Sequence, residues 1–191
     1  LDVAPGQWIA QNAGNGAVRR LVAQFAAARG VHVLGLVRRA EGIAELAAAG
    51  ISGVVATDDD AWRDRVLEIT GGAPIVAGVD SVGGSASDDV LSLLADDGTL
   101  VVFGAMASPT MSLSSGSVIF RQVTVKGFWG SKVSRAMDAS ARAALIGEVI
   151  RGVGDGSVTL PVAAVHSFDE ASLAVRANFE PGRVGKLLLR P

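Results

Sequence analysis

Residues 7–20 read Gln7-Trp8-Ile9-Ala10-Gln11-Asn12-Ala13-Gly14-Asn15-Gly16-Ala17-Val18-Arg19-Arg20. A short apolar run turns polar, meets a glycine corner and opens a segment whose apolar residues recur at helical spacing as far as Ala28. The spacing predicts strand, turn and helix in that order. Gly30 closes the helix as a C′ residue does, and Val31 to Val37 is the near-continuous apolar run of a buried parallel strand. Outward from here the unit repeats. Helices are expected over 40–49, 61–70 and 85–94, and strands over 53–56, 75–80 and 99–103, with Gly50, Gly71-Gly72 and Asp97-Gly98 as stops or turns. A Ser/Gly/Pro-rich loop over 107–116 leads to a sixth strand at 123–127 and a longer helix at 135–152. Residues 152–157, Gly-Val-Gly-Asp-Gly-Ser, read as a hinge or linker.

Strands alternating with helices at this spacing imply right-handed crossovers and an α/β fold, a parallel sheet covered on both faces. The expected architecture is a doubly wound sheet in the Rossmann order 3-2-1-4-5-6, with a ligand crevice at the carboxyl ends of the strands where the order reverses. Two parts follow: residues 1–157 as the dinucleotide-binding domain and 158–191 as a tail. The tail holds a strand, a short helix near Asp169 and a final strand at 184–189, and it is not expected to continue the rhythm.

Composition narrows the function. The chain has 191 residues, 49% of them hydrophobic, and a mean hydropathy of +0.40, which excludes intrinsic disorder. Its apolar stretches are broken by Gly, Asp or Arg too often to span a bilayer. With 17 Lys and Arg against 19 Asp and Glu, the net charge of -2 gives no electrostatic reason to expect nucleic acid or an anionic membrane as partner, so small molecules are favoured. The lack of Cys removes disulfides, thiolate metal sites and Cys nucleophiles, and Leu1-Asp2-Val3 has no leader character, so a cytoplasmic location is expected. There is no Tyr and there are two His: His32, expected as a structural residue of a buried strand, and His166, isolated in the tail. No catalytic residue is assigned, because the usual proton-transfer groups are nearly missing. Asp58-Asp59-Asp60 is expected to supply an N-cap and dipole charge to the following helix rather than hold a metal, and no metal site is assigned.

Two places carry chemistry. Glycines at the first strand-to-helix turn let backbone approach a pyrophosphate, whose charge meets free N–H groups and the positive end of the helix dipole. The third glycine of G-x-G-x-x-G is replaced by Arg19, so helix–strand packing is achieved differently or Arg19 leans outwards. At the end of the second strand, where an NAD site carries Asp or Glu for the ribose, this chain has Arg38 and Arg39. A guanidinium binds phosphate bidentately and stays charged, so the pair favours NADP(H) through its 2′-phosphate. Glycine-marked ends follow the fourth strand, Asp80-Ser81-Val82-Gly83-Gly84, and the fifth, Phe103-Gly104-Ala105-Met106, with room for a flat ring.

Four stretches resemble one family: Gln11-Asn12-Ala13-Gly14-Asn15-Gly16-Ala17-Val18, Val37-Arg38-Arg39-Ala40-Glu41, Phe103-Gly104-Ala105-Met106, and Ile119-Phe120-Arg121 through Val125-Lys126-Gly127-Phe128-Trp129-Gly130-Ser131. The chain resembles the cofactor-binding half of the medium-chain dehydrogenase/reductases, in the zinc-independent branch of enoyl thioester reductases and quinone oxidoreductases. The closing Gly185-Lys186-Leu187-Leu188-Leu189 is similar too. The resemblance implies that Asn15, Gly16, Ala17 and Val18 cradle the pyrophosphate, and that Arg38 binds the 2′-phosphate with Arg39 nearby. Phe103, Gly104, Ala105 and Met106 would line the nicotinamide end with Phe128, Trp129, Gly130 and Ser131, and Lys186 would reach the cofactor. It further implies hydride transfer from NADPH to an activated C=C, in an enoyl thioester or quinone-like acceptor, and a homodimer. The substrate domain with its proton donor has no counterpart here, and Gly130 replaces a bulkier residue. Two other readings stay open: a non-catalytic nucleotide-binding module of the same fold, and a methyltransferase-like domain, against which Arg38-Arg39 argue because an acid is expected at that strand end.

Overall fold

The computed structural model describes residues 1–12, 17–48, 51–180 and 185–191. The glycine corner, 13–16, is outside them, and with it Asn15 and Gly16. Strands β1 (Trp8–Gln11), β2 (His32–Val37), β3 (Val54–Ala56), β4 (Ile75–Asp80), β5 (Leu94–Val102) and β6 (Thr124–Gly127) form one sheet in the order β3-β2-β1-β4-β5-β6. Every pairing in it is parallel, with Gln11 beside both Gly35 and Val79, and Val102 beside Gly127. This is the expected Rossmann-type α/β fold, and β6 lies at its edge with all four residues exposed.

Helices cover both faces because the inner strands are buried on both sides. Ile9 and Ala77 pack on Ala26 of α1 (Ala17–Ala27). Ala10, Leu34, Leu36, Ile75 and Leu100 pack on Trp62 and Val66 of α3 (Trp62–Thr70) and on Val90 and Leu91 of α4 (Ala86–Leu93). Leu46 of α2 (Glu41–Ala48) closes a third cluster with Val37, Val54 and Ala56. Gly78 at the centre of β4 is set by this packing: a Cβ there would lie 2.6 Å from Val90 Cγ1 and 3.1 Å from Leu100 Cδ1. We expect Gly78→Ala to destabilise the chain by about 1–3 kcal/mol through overpacking, checked by urea unfolding; an unchanged midpoint would show that α4 yields freely.

Arg19 resolves the missing third glycine in an unexpected direction. It is 4% exposed and turns inward over β2, where a Cβ on Gly35 would lie 1.4 Å from its Nη2. The small residue that lets α1 approach the sheet is therefore on β2, not on the helix. Burial, and next the neighbouring Arg20 charge, lower the Arg19 pKa to about 10.

Several expectations need correction. Residues 152–157 are no linker: α7 (Ala139–Asp155) runs through them to a left-handed Gly156, and buried Gly152 makes room for Val158, whose Cγ2 would lie 2.7 Å from a Cβ. The helix expected at 135–152 is two helices, α6 (Gly130–Ala136) and α7, divided where Asp138 caps α7 by accepting from Ala141 N at 2.8 Å. The loop over 107–116 gives way to a short helix α5 (Ser115–Phe120), capped by Ser114, and β5 starts at Leu94, with Asp97 in left-handed conformation at φ 58° inside it. His32 is exposed and stacks on Trp8, ring centroids 4.9 Å apart, rather than sitting in the core. Asp59 accepts from Ala61 N at 2.8 Å and pairs with Arg65, but the cap position of α3 is Ala61 itself, with no side-chain cap. The tail does repeat the unit, in a sheet of its own: β7 (Val162–Ser167), a 3-10 turn at Phe168–Glu170, α8 (Ala171–Ala177) and β8 (Lys186–Arg190), with β7 and β8 parallel. His166 Nδ1 lies 3.9 Å from Glu170 Oε2, so it has an acidic neighbour.

Candidate functional site

A parallel sheet places all its carboxyl ends on one edge, so residues distant in sequence meet there. At its centre is a buried polar hub. The Asp80 carboxylate, 0% exposed at the end of β4, accepts from Asn12 Nδ2 at 2.6 Å, Val82 N at 2.8 Å, Gly83 N at 3.2 Å and Ser87 Oγ at 2.5 Å. Asn12, just past β1, returns the contact by accepting from Ser81 N at 3.0 Å. The hub fixes the chain that enters the glycine corner against the loop that leaves β4. Buried donors and acceptors are satisfied here by one another, which makes the arrangement rigid and intolerant of change. In the sequence Asn12 figures only as the polar end of the first apolar run and in the resemblance, and Asp80 as the end of a strand and start of a glycine-marked turn; an acid ending an apolar strand and followed seven residues later by Ser was the available signal.

Beside the hub, Asn12, Leu36, Val37, Arg38, Thr57, Val82, Ser85, Ala86 and Asp89 enclose a cavity of about 410 Å³ at the carboxyl ends of β1, β2 and β4. That volume lies in the range of small-ligand sites, about 300–1,000 Å³. Arg38 is exposed and faces this space at the end of β2, where it was expected; Arg39 is exposed beside it but does not line the cavity. Asp89, across from Arg38, has its pKa raised by burial first; the Arg63 charge works against this and the Asp88 charge adds to it.

Ala17 and Val18 open α1 at the same edge, with Val18 half exposed. The other group of expected residues forms a shelf further along. Phe103 N donates to Asp80 O at 2.9 Å, Met106 N to Ser81 O at 3.1 Å, and Phe128 N to Val102 O at 2.8 Å, so the ends of β4, β5 and β6 are stitched in sequence. Gly104 is demanded by this stitching, since a Cβ would lie 2.9 Å from Ser81 O. Phe103, Ala105, Met106, Phe128, Trp129, Gly130 and Ser131 are all exposed on the shelf. The structure thus brings Arg38 and the two shelf segments to one edge. Lys186 heads β8 in the other sheet, its N bonded to Pro161 O at 2.8 Å, and is not among the cavity's lining residues. Among the described residues no group of three or more His, Cys, Asp and Glu could hold a metal ion, and no helix is long and apolar enough to cross a membrane.

Comparison with known proteins agrees with this fold. Residues 17–145 match the family model described as zinc-binding dehydrogenase. A mitochondrial enoyl-acyl-carrier-protein reductase of Eremothecium gossypii is 29% identical over 178 residues, covering 88% of this chain and 47% of that protein. A mycobacterial quinone oxidoreductase structure superposes with a TM-score of 0.85 at 27% identity, over 100% of this chain and 58% of the other. A mycobacterial protein solved in complex with NADPH superposes with a TM-score of 0.79 at 26% identity, over 99% of this chain and 58% of the other. The chain spans about half the length of the curated relatives it matches.

Proposed function

Since the chain belongs to the zinc-binding dehydrogenase family, we propose that it is the NADPH-binding part of a reductase that delivers hydride to an activated C=C, in an enoyl thioester or a quinone-like acceptor. The observation that carries this is the cavity at the carboxyl edge bounded by Arg38, with a guanidinium where a ribose-binding carboxylate would select NAD. The residues fit the group: Arg38, with Arg39 close by, holds the 2′-phosphate, Thr57 and Ser85 offer polar contacts to the adenosine half, Asn12 keeps the hub beside it in place, and Ala17 and Val18 lead the helix towards the pyrophosphate. Asn15 and Gly16 belong to the same pyrophosphate turn in this reading. When bound, NADPH supplies the hydride; the chain's own part is to orient the nicotinamide on the shelf of Phe103 to Met106 and Phe128 to Ser131 and to exclude water from it. Lys186 completes the contacts. Names of similar proteins support both acceptor classes, the enoyl thioester from the Eremothecium protein and the quinone from the mycobacterial one.

The chain carries no Tyr, and its two His lie away from this edge, one at the head of β2 and one in β7. Proton donation therefore comes from outside these residues, and this part works without a zinc of its own. We assign residues 1–157 to cofactor binding and 158–191 to contact with further structure, since Val162, Val165, Phe179 and Leu188 leave the tail's apolar side exposed. The open edge of β6 supports a homodimer by sheet extension. Calorimetric titration with NADPH, NADH and S-adenosylmethionine tests the reading: NADPH binds tightest at 1:1 while the chain alone reduces little. Equal affinity for NADH, tighter binding of S-adenosylmethionine, or full reductase turnover by the chain alone would contradict it.

A further inference from the structure

The cavity beside the hub is lined by charges of both signs, Arg38 at the end of β2 and Asp89 on α4. The neighbouring acid, Asp88, is used by the fold: its Oδ1 accepts from Ser114 N at 2.7 Å and ties α4 to the cap residue of α5. Asp89 is different. It is half-buried on the cavity wall, yet no described residue donates a hydrogen bond to its carboxylate, and neither oxygen is sealed from solvent. Arg63, the cation whose charge it feels, lies over the Trp62 ring at 4.1 Å from the centroid, donates to Ser92 Oγ at 3.3 Å and does not line the cavity.

The dipole of α4 accounts for an acid in its first turn but leaves the hydrogen-bonding capacity of Asp89 unused. A half-buried carboxylate without donors carries a desolvation cost, the first cause of the raised Asp89 pKa. In a space that receives a phosphate it carries a second cost, because it repels the anion that Arg38 attracts. A ligand offsets both costs if it brings its anion to the Arg38 side and a hydrogen-bond donor to the Asp89 side. The adenosine half of NADPH has that polarity: the 2′-phosphate and the 3′-hydroxyl sit together on the ribose, and the N6 amino group, the one donor of the base, is at the far end. Leu36, Val37, Val82 and Ala86 supply apolar lining for a flat base.

Resting on the cofactor reading above, we infer that Asp89 reads the adenine base, its carboxylate accepting a hydrogen bond from the N6 amino group while Arg38 reads the phosphate. The chain then discriminates against a purine that carries a carbonyl oxygen at position 6, since two acceptors would face each other there.

Titration of the 191-residue chain with NADPH and with its hypoxanthine analogue tests this. The analogue keeps the ring system and every phosphate and exchanges the amino group for a carbonyl oxygen. The unsubstituted chain binds NADPH about tenfold tighter than the analogue, the lower end of what a hydrogen bond to a charged group is worth. In Asp89→Ala that ratio falls to about one, while the preference for NADPH over NADH persists. Arg38→Ala weakens both purine forms together and keeps their ratio. Asp89→Asn, close to Asp in shape, serves should Asp89→Ala fail to fold: its amide offers both a donor and an acceptor, so the ratio again drops towards one. The ratio compares two ligands on one protein, so a loss of packing alone does not move it. Equal binding of the two purine forms by the unsubstituted chain, or a preference that survives in Asp89→Ala, would overturn the inference and leave the cofactor reading standing; failure of NADPH to bind at all would overturn both.

Discussion

Replacing Asp80 with Ala lowers the unfolding free energy by about 3–5 kcal/mol, which for a chain of this length is a fall in Tm of about 6–20 °C. The reason is the count of donors left behind. Asn12 Nδ2, Val82 N, Gly83 N and Ser87 Oγ all point at a carboxylate that is 0% exposed. Each buried donor without an acceptor costs about 1–3 kcal/mol, partly recovered by local relaxation. Asp80→Asn separates charge from connectivity. Its carbonyl oxygen keeps the three contacts made by Oδ1, and its amide can donate to the Ser87 hydroxyl, so the loss shrinks to about 1 kcal/mol. Thermal unfolding of the two variants measures the difference; a loss below about 1 kcal/mol in Asp80→Ala would mean that the hub is not what fixes this edge.

Replacing Arg38 with Ala weakens NADPH by about 1.5–3 kcal/mol, or roughly 10–150-fold, and leaves NADH nearly unchanged. Only NADPH has the phosphate that a guanidinium in this position would read, so the prediction lies in the ratio of the two affinities. Arg38 is exposed, and its removal leaves the packing of β2 intact, because the buried residues of that strand are Leu34, Gly35, Leu36 and Val37. A loss equal for both nucleotides would remove Arg38 from the role of phosphate reader. Arg39→Ala is expected to do less, since Arg39 does not line the cavity.

The strand order could be read from the sequence because parallel buried strands announce themselves: Trp8 to Gln11, His32 to Val37 and Ile75 to Asp80 are apolar runs closed by glycine or polar turns. What was illegible depends on contacts distant in the chain. Gly152 looked like the start of a flexible segment, yet its missing Cβ is what lets Val158 fold back onto α7. Arg19 looked like an obstacle to packing, and the compensating Gly35 sits on the neighbouring strand, where no local pattern connects the two. His32 was misplaced because strand periodicity does not say which end of a run meets solvent. At the candidate site, Arg38 and the shelf segments were legible from the rule that ligands bind at strand carboxyl ends. The Asn12–Asp80–Ser87 hub was not, since it joins two strands that only the sheet makes neighbours.

The most direct measurement is a crystal structure of the chain grown with NADPH. The account requires the adenosine half in the space enclosed by Asn12, Arg38, Thr57 and Asp89, with the 2′-phosphate on the Arg38 guanidinium. A nucleotide bound at any other edge of the sheet, or with that phosphate away from both Arg38 and Arg39, would contradict it.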